Sequence, residues 1–262
     1  MGWSAINTFA TASDNSHPSP YRVAVSGINA GDLIVISLPY VRASATLVGV
    51  VAGSDNASGA GNTYYVEANG QWDTNLGGPG LSKISAIIAD TSVTQIGYSW
   101  SGGNTDANAV IVDVFRHSNG PLTAGSAPYS GTPTGSEQTS AGSGNDNVFS
   151  GNTTPGVNGC LIHGAIYSNV AITHGTNFTQ NFYDTNTADM SEYLEQANAA
   201  AIQATATIAA GNSAFVLVSA YGPPPVPGGG RNFNWKLRND AVNFTATIAN
   251  NPGTANYNIK VG

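Results

Sequence analysis

The stretch Leu33-Ile34-Val35-Ile36-Ser37-Leu38-Pro39-Tyr40-Val41 most limits what this chain can fold into. Gly31-Asp32 opens it as a turn pair, an apolar and β-branched run follows, and Pro39 stops it. The run is too short to cross a membrane as a helix and too β-branched for a comfortable soluble one. A strand that is apolar on both faces belongs in the middle of a structure, between two sheets. Ala109–Phe115, Cys160–Ile166 and Ala214–Ala220 have the same character and are its expected partners.

Between these runs the chain is punctuated as an all-β protein. Trp3–Ala10, Tyr21–Val25, Ala45–Ala52 and Thr63–Glu67 read as strands. Asn69-Gly70 is a hairpin signal. Lys83–Ala89 and Thr94–Trp100 form the next expected pair, with Ile96, Tyr98 and Trp100 on one face by period-two alternation. Residues 117–147 are rich in Gly, Ser, Thr and Pro, which predicts an edge strand or binding loop within them. Ala204–Ala209 and Ala214–Tyr221, joined through Gly211-Asn212, read as a closing hairpin. Asp189–Ala201 is ambiguous. Asp189 with Glu192 resembles a capping box, but every flanking segment is β. The expectation is an antiparallel β-sandwich, jelly-roll-like, over 1–221.

Gly222-Pro223-Pro224-Pro225-Val226-Pro227-Gly228-Gly229-Gly230 is the clearest boundary. Prolines stiffen it and glycines give it a swivel. Residues 231–262 follow as a short C-terminal β arm, expected to hold strands at 233–237, 242–249 and 257–261. Two or three strands alone are marginal in water, so the arm needs a surface to complete it. Charge supports that. Residues 1–230 hold four cations against fourteen acids, a net −10, whereas 231–262 hold four cations against Asp240, a net +3. A basic arm on an acidic body favours a neighbouring copy as partner. Arg231, Phe233, Trp235, Lys236, Arg238, Phe244 and Lys260 are the residues expected to dock it. Nucleic acid is not expected, because the acidic body would be repelled by phosphate.

Only 9% of the 262 residues are charged, and Ser, Thr, Asn and Gly fill the surface role, a composition suited to exposed β surfaces of extracellular or virion proteins. With 41% hydrophobic residues the chain is not a disordered one. The single Cys160 excludes an intrachain disulfide, and its apolar setting predicts a buried, inert thiol. Met1–Ala5 has neither a basic region nor an apolar core, so no signal peptide is expected, and no run approaches membrane-span length.

Residues with catalytic or ligand chemistry are sparse. His17, His117, His163 and His174 have no zinc spacing, and His163 in its apolar strand reads as a satisfied core histidine. There is no nucleophile elbow and no phosphate loop. Glu192 and Glu195 are the one nearby carboxylate pair, without a geometry that argues for glycoside hydrolysis. Asp184-Thr185-Asn186-Thr187-Ala188-Asp189 partly matches a calcium loop, but it lacks the Gly, and Ala188 replaces an oxygen ligand. No cofactor is expected, with calcium kept as the alternative. Tyr64, Tyr65 and Trp72 sit in or beside loops, where aromatic rings can stack on sugars.

The series Gly31–Val35, Gly61–Tyr64, Ala109–Phe115, Thr153-Thr154 with Cys160–Ala165, and Ala214–Tyr221 resembles a β-sandwich domain of phage virion proteins and bacterial extracellular proteins. The resemblance covers about residues 20–221 and implies a module for display or adhesion. The expected function is that of a non-enzymatic structural protein of a virion or extracellular assembly, homo-oligomeric or bound to other particle proteins. A carbohydrate- or receptor-binding module is the alternative.

Overall fold

The computed structural model describes residues 2–11, 21–41, 46–49, 55–56, 61–72, 79–101, 106–107, 110–125, 127–139, 145–225, 231–236 and 243–248. It is all-β, and no helix occurs among the described residues. The chain divides into two compact units, Met1–Pro224 and Pro225–Gly262.

The first unit opens with nine strands: β1 (Trp3–Thr11), β2 (Tyr21–Ala24), β3 (Leu33–Val41), β4 (Thr46–Gly49), β5 (Tyr64–Trp72), β6 (Pro79–Ile87), β7 (Gln95–Ser101), the two-residue β8 (Asp106–Ala107) and β9 (Val110–His117). Eight more follow: β10 (Thr134–Thr139), β11 (Asn145–Phe149), β12 (Cys160–Ser168), β13 (Ile172–His174), β14 (Thr179–Asp184), β15 (Asp189–Gln196), β16 (Thr205–Ala209) and β17 (Ser213–Tyr221). The large sheet of the first half runs β1-β9-β3-β6-β5, and its small sheet runs β2-β7-β4. The second half runs β10-β17-β12-β15-β14 and β11-β16-β13. Strand for strand this is the same order, with β8 as the one addition. All named pairings are antiparallel.

Each half has its own core. Ile34, Ile36 and Leu38 of β3, Ile84 of β6 and Val112 of β9 pack with Val23, Ile96 and Tyr98 of the small sheet. Ile162, Met190 and Val216 pack with Val148, Ile172 and Ile208 in the second half. The alternate residues of the two large sheets meet each other. Leu33, Val35 and Phe115 pack with Leu161 and Tyr221, and Leu81 packs with Ala165, Phe215 and Leu217. This explains the run at Leu33: Leu33–Leu38 are at most 1% exposed because one face fills a sandwich and the other meets the second half. Burial of each such side chain contributes about 1.5–3 kcal/mol.

Several local expectations are corrected. Asn69-Gly70 does not turn the chain. β5 passes through it with register shifts against β6, so the pair forms an irregularity inside a strand. β6 and β7 lie in different sheets, as do β16 and β17, because consecutive strands here cross between layers. Asp189–Gln196 is strand β15, hydrogen-bonded on both sides by β12 and β14. Its period-two pattern, with Met190 and Leu194 on the core side, overrides the helix propensity of its residues. Residues 117–147 do contain an edge strand, β10.

The second unit contains β18 (Arg231–Lys236) and β19 (Asn243–Ile248), an antiparallel pair that sets Phe233 opposite Ala246 and Trp235 opposite Phe244.

Candidate functional site

A cleft of about 690 Å³ opens in the second half. β11 supplies Asn147 and Phe149, and β16 supplies Thr205 and Thr207 from the neighbouring strand. Asn152 and Gln203 come from the connections that meet at the Thr153–Ile202 bridge. The β13–β14 turn, Gly175-Thr176-Asn177-Phe178, forms another wall. Asn177 holds φ of 70°, a left-handed conformation that Asn tolerates better than most residues. Thr207 Oγ1 donates to Asn147 Oδ1 at 2.9 Å. Phe149 is 41% exposed, an aromatic ring presented to solvent. The lining carries amides and hydroxyls, the apolar side chains of Phe178, Leu194, Ala201 and Ile202, the exposed Phe149 ring, and no charged side chain. Such a surface suits a neutral, hydroxyl-rich ligand better than an ionic one.

Glu192 lies beneath this wall, fully buried. Its Oε2 accepts the Gly175 N–H at 2.8 Å and so ties the turn to β15. Gly164 stands directly opposite on β12, where a Cβ would lie 2.8 Å from Glu192 Cγ. Glycine is thus what leaves room for the carboxylate. Burial pushes the Glu192 carboxyl up to about 7, while the Gly175 and Thr205 backbones pull the other way. Glu195 accepts the Gly2 N–H at 2.6 Å. Three residues apart on a strand, the two glutamates project from opposite faces and do not converge on one site.

A second polar cluster lies between the two large sheets. Asp113 of β9 accepts from His163 Nε2 at 2.8 Å, from Thr8 Oγ1 at 2.7 Å and from the Asn181 amide. Lys83 Nζ donates to the His163 carbonyl at 2.8 Å and lies 5.7 Å from the centre of the Tyr221 ring. The Tyr221 hydroxyl donates to Glu67 at 2.8 Å, and Ser219 donates to the same carboxylate. Lys83, Asp113 and His163 are 0% exposed. Burial lowers the Lys83 ammonium to about 8, against the pull of Glu67 and Asp113. Burial also lowers His163, and Lys83 adds to this, so the neutral imidazole donates through Nε2. The centre of this cluster is buried, Thr8, Asn181 and Glu67 at its margin are partly exposed, and its hydrogen bonds join the two halves.

The residues singled out from sequence are distributed widely. The Tyr64 ring packs on the first core, and burial raises its hydroxyl pKa, aided by Asp55. Tyr65 follows it on the opposite face of β5, so the two do not form one platform. The Trp72 side chain lies outside the described residues. Arg231, Phe233, Trp235 and Lys236 fall on β18 and Phe244 on β19, whereas Arg238 and Lys260 lie outside the described residues. His163 lies in the core as expected, but it is not fully satisfied: Nε2 bonds Asp113, and Nδ1 is buried without a partner. Cys160 is buried, donates to the Val157 carbonyl at 3.1 Å and has its thiol pKa raised by burial. No group of three or more His, Cys, Asp or Glu able to hold a metal occurs among the described residues.

Neither the cleft nor the buried cluster was singled out from sequence. The cleft has no local signal, because its walls come from separate connections. The cluster has one: Asp113 and His163 each interrupt an apolar run, and Lys83 is one of the few charges in the chain. Comparison with protein-family models, with curated proteins and with solved structures finds no match to this chain.

Proposed function

We propose that this chain is a structural component of a virion or other extracellular assembly, with its C-terminal arm docking on a neighbouring subunit. The observation that carries the reading is the separate second unit, whose β18 and β19 pair only with each other among the described residues. A lone two-stranded hairpin is marginal in water and gains stability from a third strand or an apolar surface. The +3 arm and −10 body supply charge complementarity between copies. Light scattering on the full chain and on a chain ending at residue 225 tests this. The full chain is expected to form oligomers or filaments that the shorter chain does not. Two monomeric species at the same concentration would overturn it.

A second reading, recognition of a surface glycan, is favoured by the amide- and hydroxyl-lined cleft with Phe149 at its edge. It moves the sugar site away from Tyr64, Tyr65 and Trp72. On a glycan array, Phe149→Ala is expected to weaken binding by about tenfold, the value of one stacking contact of about 1.4 kcal/mol. Undiminished binding by that variant would remove the cleft from consideration.

A further inference from the structure

The β14–β15 hairpin holds buried acceptor oxygens that no protein donor satisfies. Asp184 and Asp189 stand directly opposite each other at the base of its loop, Thr185-Asn186-Thr187-Ala188. Directly opposed residues leave the same face of a sheet, with Cβ atoms about 4.5–5.5 Å apart. Asp189 is 0% exposed, and both of its carboxylate oxygens lack a hydrogen-bond partner. The Thr187 hydroxyl oxygen, two residues away, is also buried and also lacks one. Asp184 faces Asp189 across the strand pair, and its Oδ1 accepts the Asn186 N–H at 2.8 Å, which holds that carboxylate over the loop. A cavity of about 470 Å³ beside the loop is lined by Ser168, Asn169, Thr185, Asn186 and Thr187, which gives an oxygen-rich approach from solvent.

More than nine in ten buried polar groups in folded proteins find a partner, and a buried carboxylate without one costs several kcal/mol. Asp189 offers two such oxygens and Thr187 a third. Ionised carboxylate oxygens only accept, and a cation bound between Asp184 and Asp189 would compensate both charges. The donor set is all oxygen, with no imidazole or thiolate, which selects a hard cation over zinc or copper. Two carboxylates, a hydroxyl and nearby amide oxygens in a flexible turn suit calcium, which accepts irregular geometry at about 2.3–2.6 Å. Magnesium demands a near-ideal octahedron.

We infer that the tip of the β14–β15 hairpin is a calcium site, with Asp184, Asp189 and the Thr187 hydroxyl as its side-chain ligands. It is not an EF-hand, because Ala188 stands where such a loop needs a ligand and the turn glycine is absent. Two carboxylates place its affinity in the range of extracellular modules, a Kd on the order of 10⁻⁴–10⁻³ M. The site stands independently of the assembly reading, since it depends on one hairpin of the first unit.

Calorimetric titration of the full chain with CaCl₂, paired with thermal unfolding in about 10 mM CaCl₂, MgCl₂ or NaCl of equal ionic strength, is the test. One calcium per chain and a rise in Tm specific to calcium are expected. Asp189→Asn keeps the side-chain shape while removing the charge, and it is expected to lose at least tenfold in affinity. Thr187→Val, a milder change at the surface of the turn, is expected to lose a smaller factor with the fold intact. Absence of binding heat and of a Tm shift would overturn the inference. So would an equal shift in magnesium, or a calcium response that Asp189→Asn retains in full.

Discussion

Asp113→Ala is expected to destabilise the first unit by about 3–5 kcal/mol, the range for removing one partner of a buried ionic network. Asp113 takes hydrogen bonds from His163, Thr8 and Asn181. Truncation leaves the fully buried His163 without an acceptor, takes one from the partly exposed Thr8 and Asn181, and leaves the Lys83 ammonium with less compensating charge. Urea unfolding of the variant measures the loss. The partnership with His163 can be isolated by a double-mutant cycle with His163→Ala, for which a coupling of about 1–3 kcal/mol is expected. A loss below about 1 kcal/mol would mean that the halves are held by their apolar contacts, around Leu33, Phe115, Leu161 and Tyr221 and around Leu81, Phe215 and Leu217. Replacing Asp113, His163 and Lys83 together by apolar residues of similar volume is a different experiment. That exchange can be neutral, because the cost of burying charge disappears with its benefit. The cluster therefore favours one register of sheet against sheet more than it adds net stability.

Glu192→Gln is expected to change how stability depends on pH. The folded carboxyl is raised from 4.5 to about 7, chiefly by burial. A raised carboxyl contributes stability that is fully present below the unfolded pKa and is lost as pH rises through the folded one. The relevant window is thus about pH 4.5 to 7. Gln cannot ionise and still offers an oxygen to the Gly175 N–H. Relative to the parent, Glu192→Gln should gain about 2–3 kcal/mol between pH 4 and pH 8, read as a pH-dependent difference in urea midpoint. His163 and Lys83 also titrate between states. His163 is lowered, so it costs stability as pH falls below its unfolded value, and Lys83, lowered to about 8, adds stability as pH rises from 8 toward 10.5. Both act in parent and variant alike, so the difference isolates Glu192. A flat difference across pH 4–8 would show that Glu192 reaches solvent in the folded state.

Asp113, on β9 of the first half, bonds His163 on the face where the two halves meet, whereas Glu192 lies on the side of β15 that faces the second half's own core. Strand β15 presents Met190, Glu192 and Leu194 to its own core and Asp189, Ser191 and Tyr193 toward the first half. Asp189 and Glu192 leave opposite sides of this strand, so a segment of eight residues bears on both the cleft wall and the calcium loop.

The sequence by itself determined that the protein is all-β and where its most buried strands lie. Period-two alternation and β-branched runs are local properties, and burial of Leu33–Leu38 on both faces was readable because nothing polar interrupts it before Ser37. It also determined that His163 lies in the core. Sheet assignment was not legible. Asn69-Gly70 and Gly211-Asn212 carry the same kind of turn signal, yet one lies within a strand and the other between strands of different sheets. The repeated strand order was also hidden, because many sequences satisfy one topology. Gly31 and Gly159, each left-handed before β3 and β12, are among the few shared marks. Only tertiary structure decided that Asp113 meets His163 across fifty residues, that Asn147 faces the same cleft as Asn177, and that Asp189 is sealed from water beside Thr187. These are contacts between sheets and loops. Their geometry is set by packing of distant strands, to which no local pattern in the chain responds.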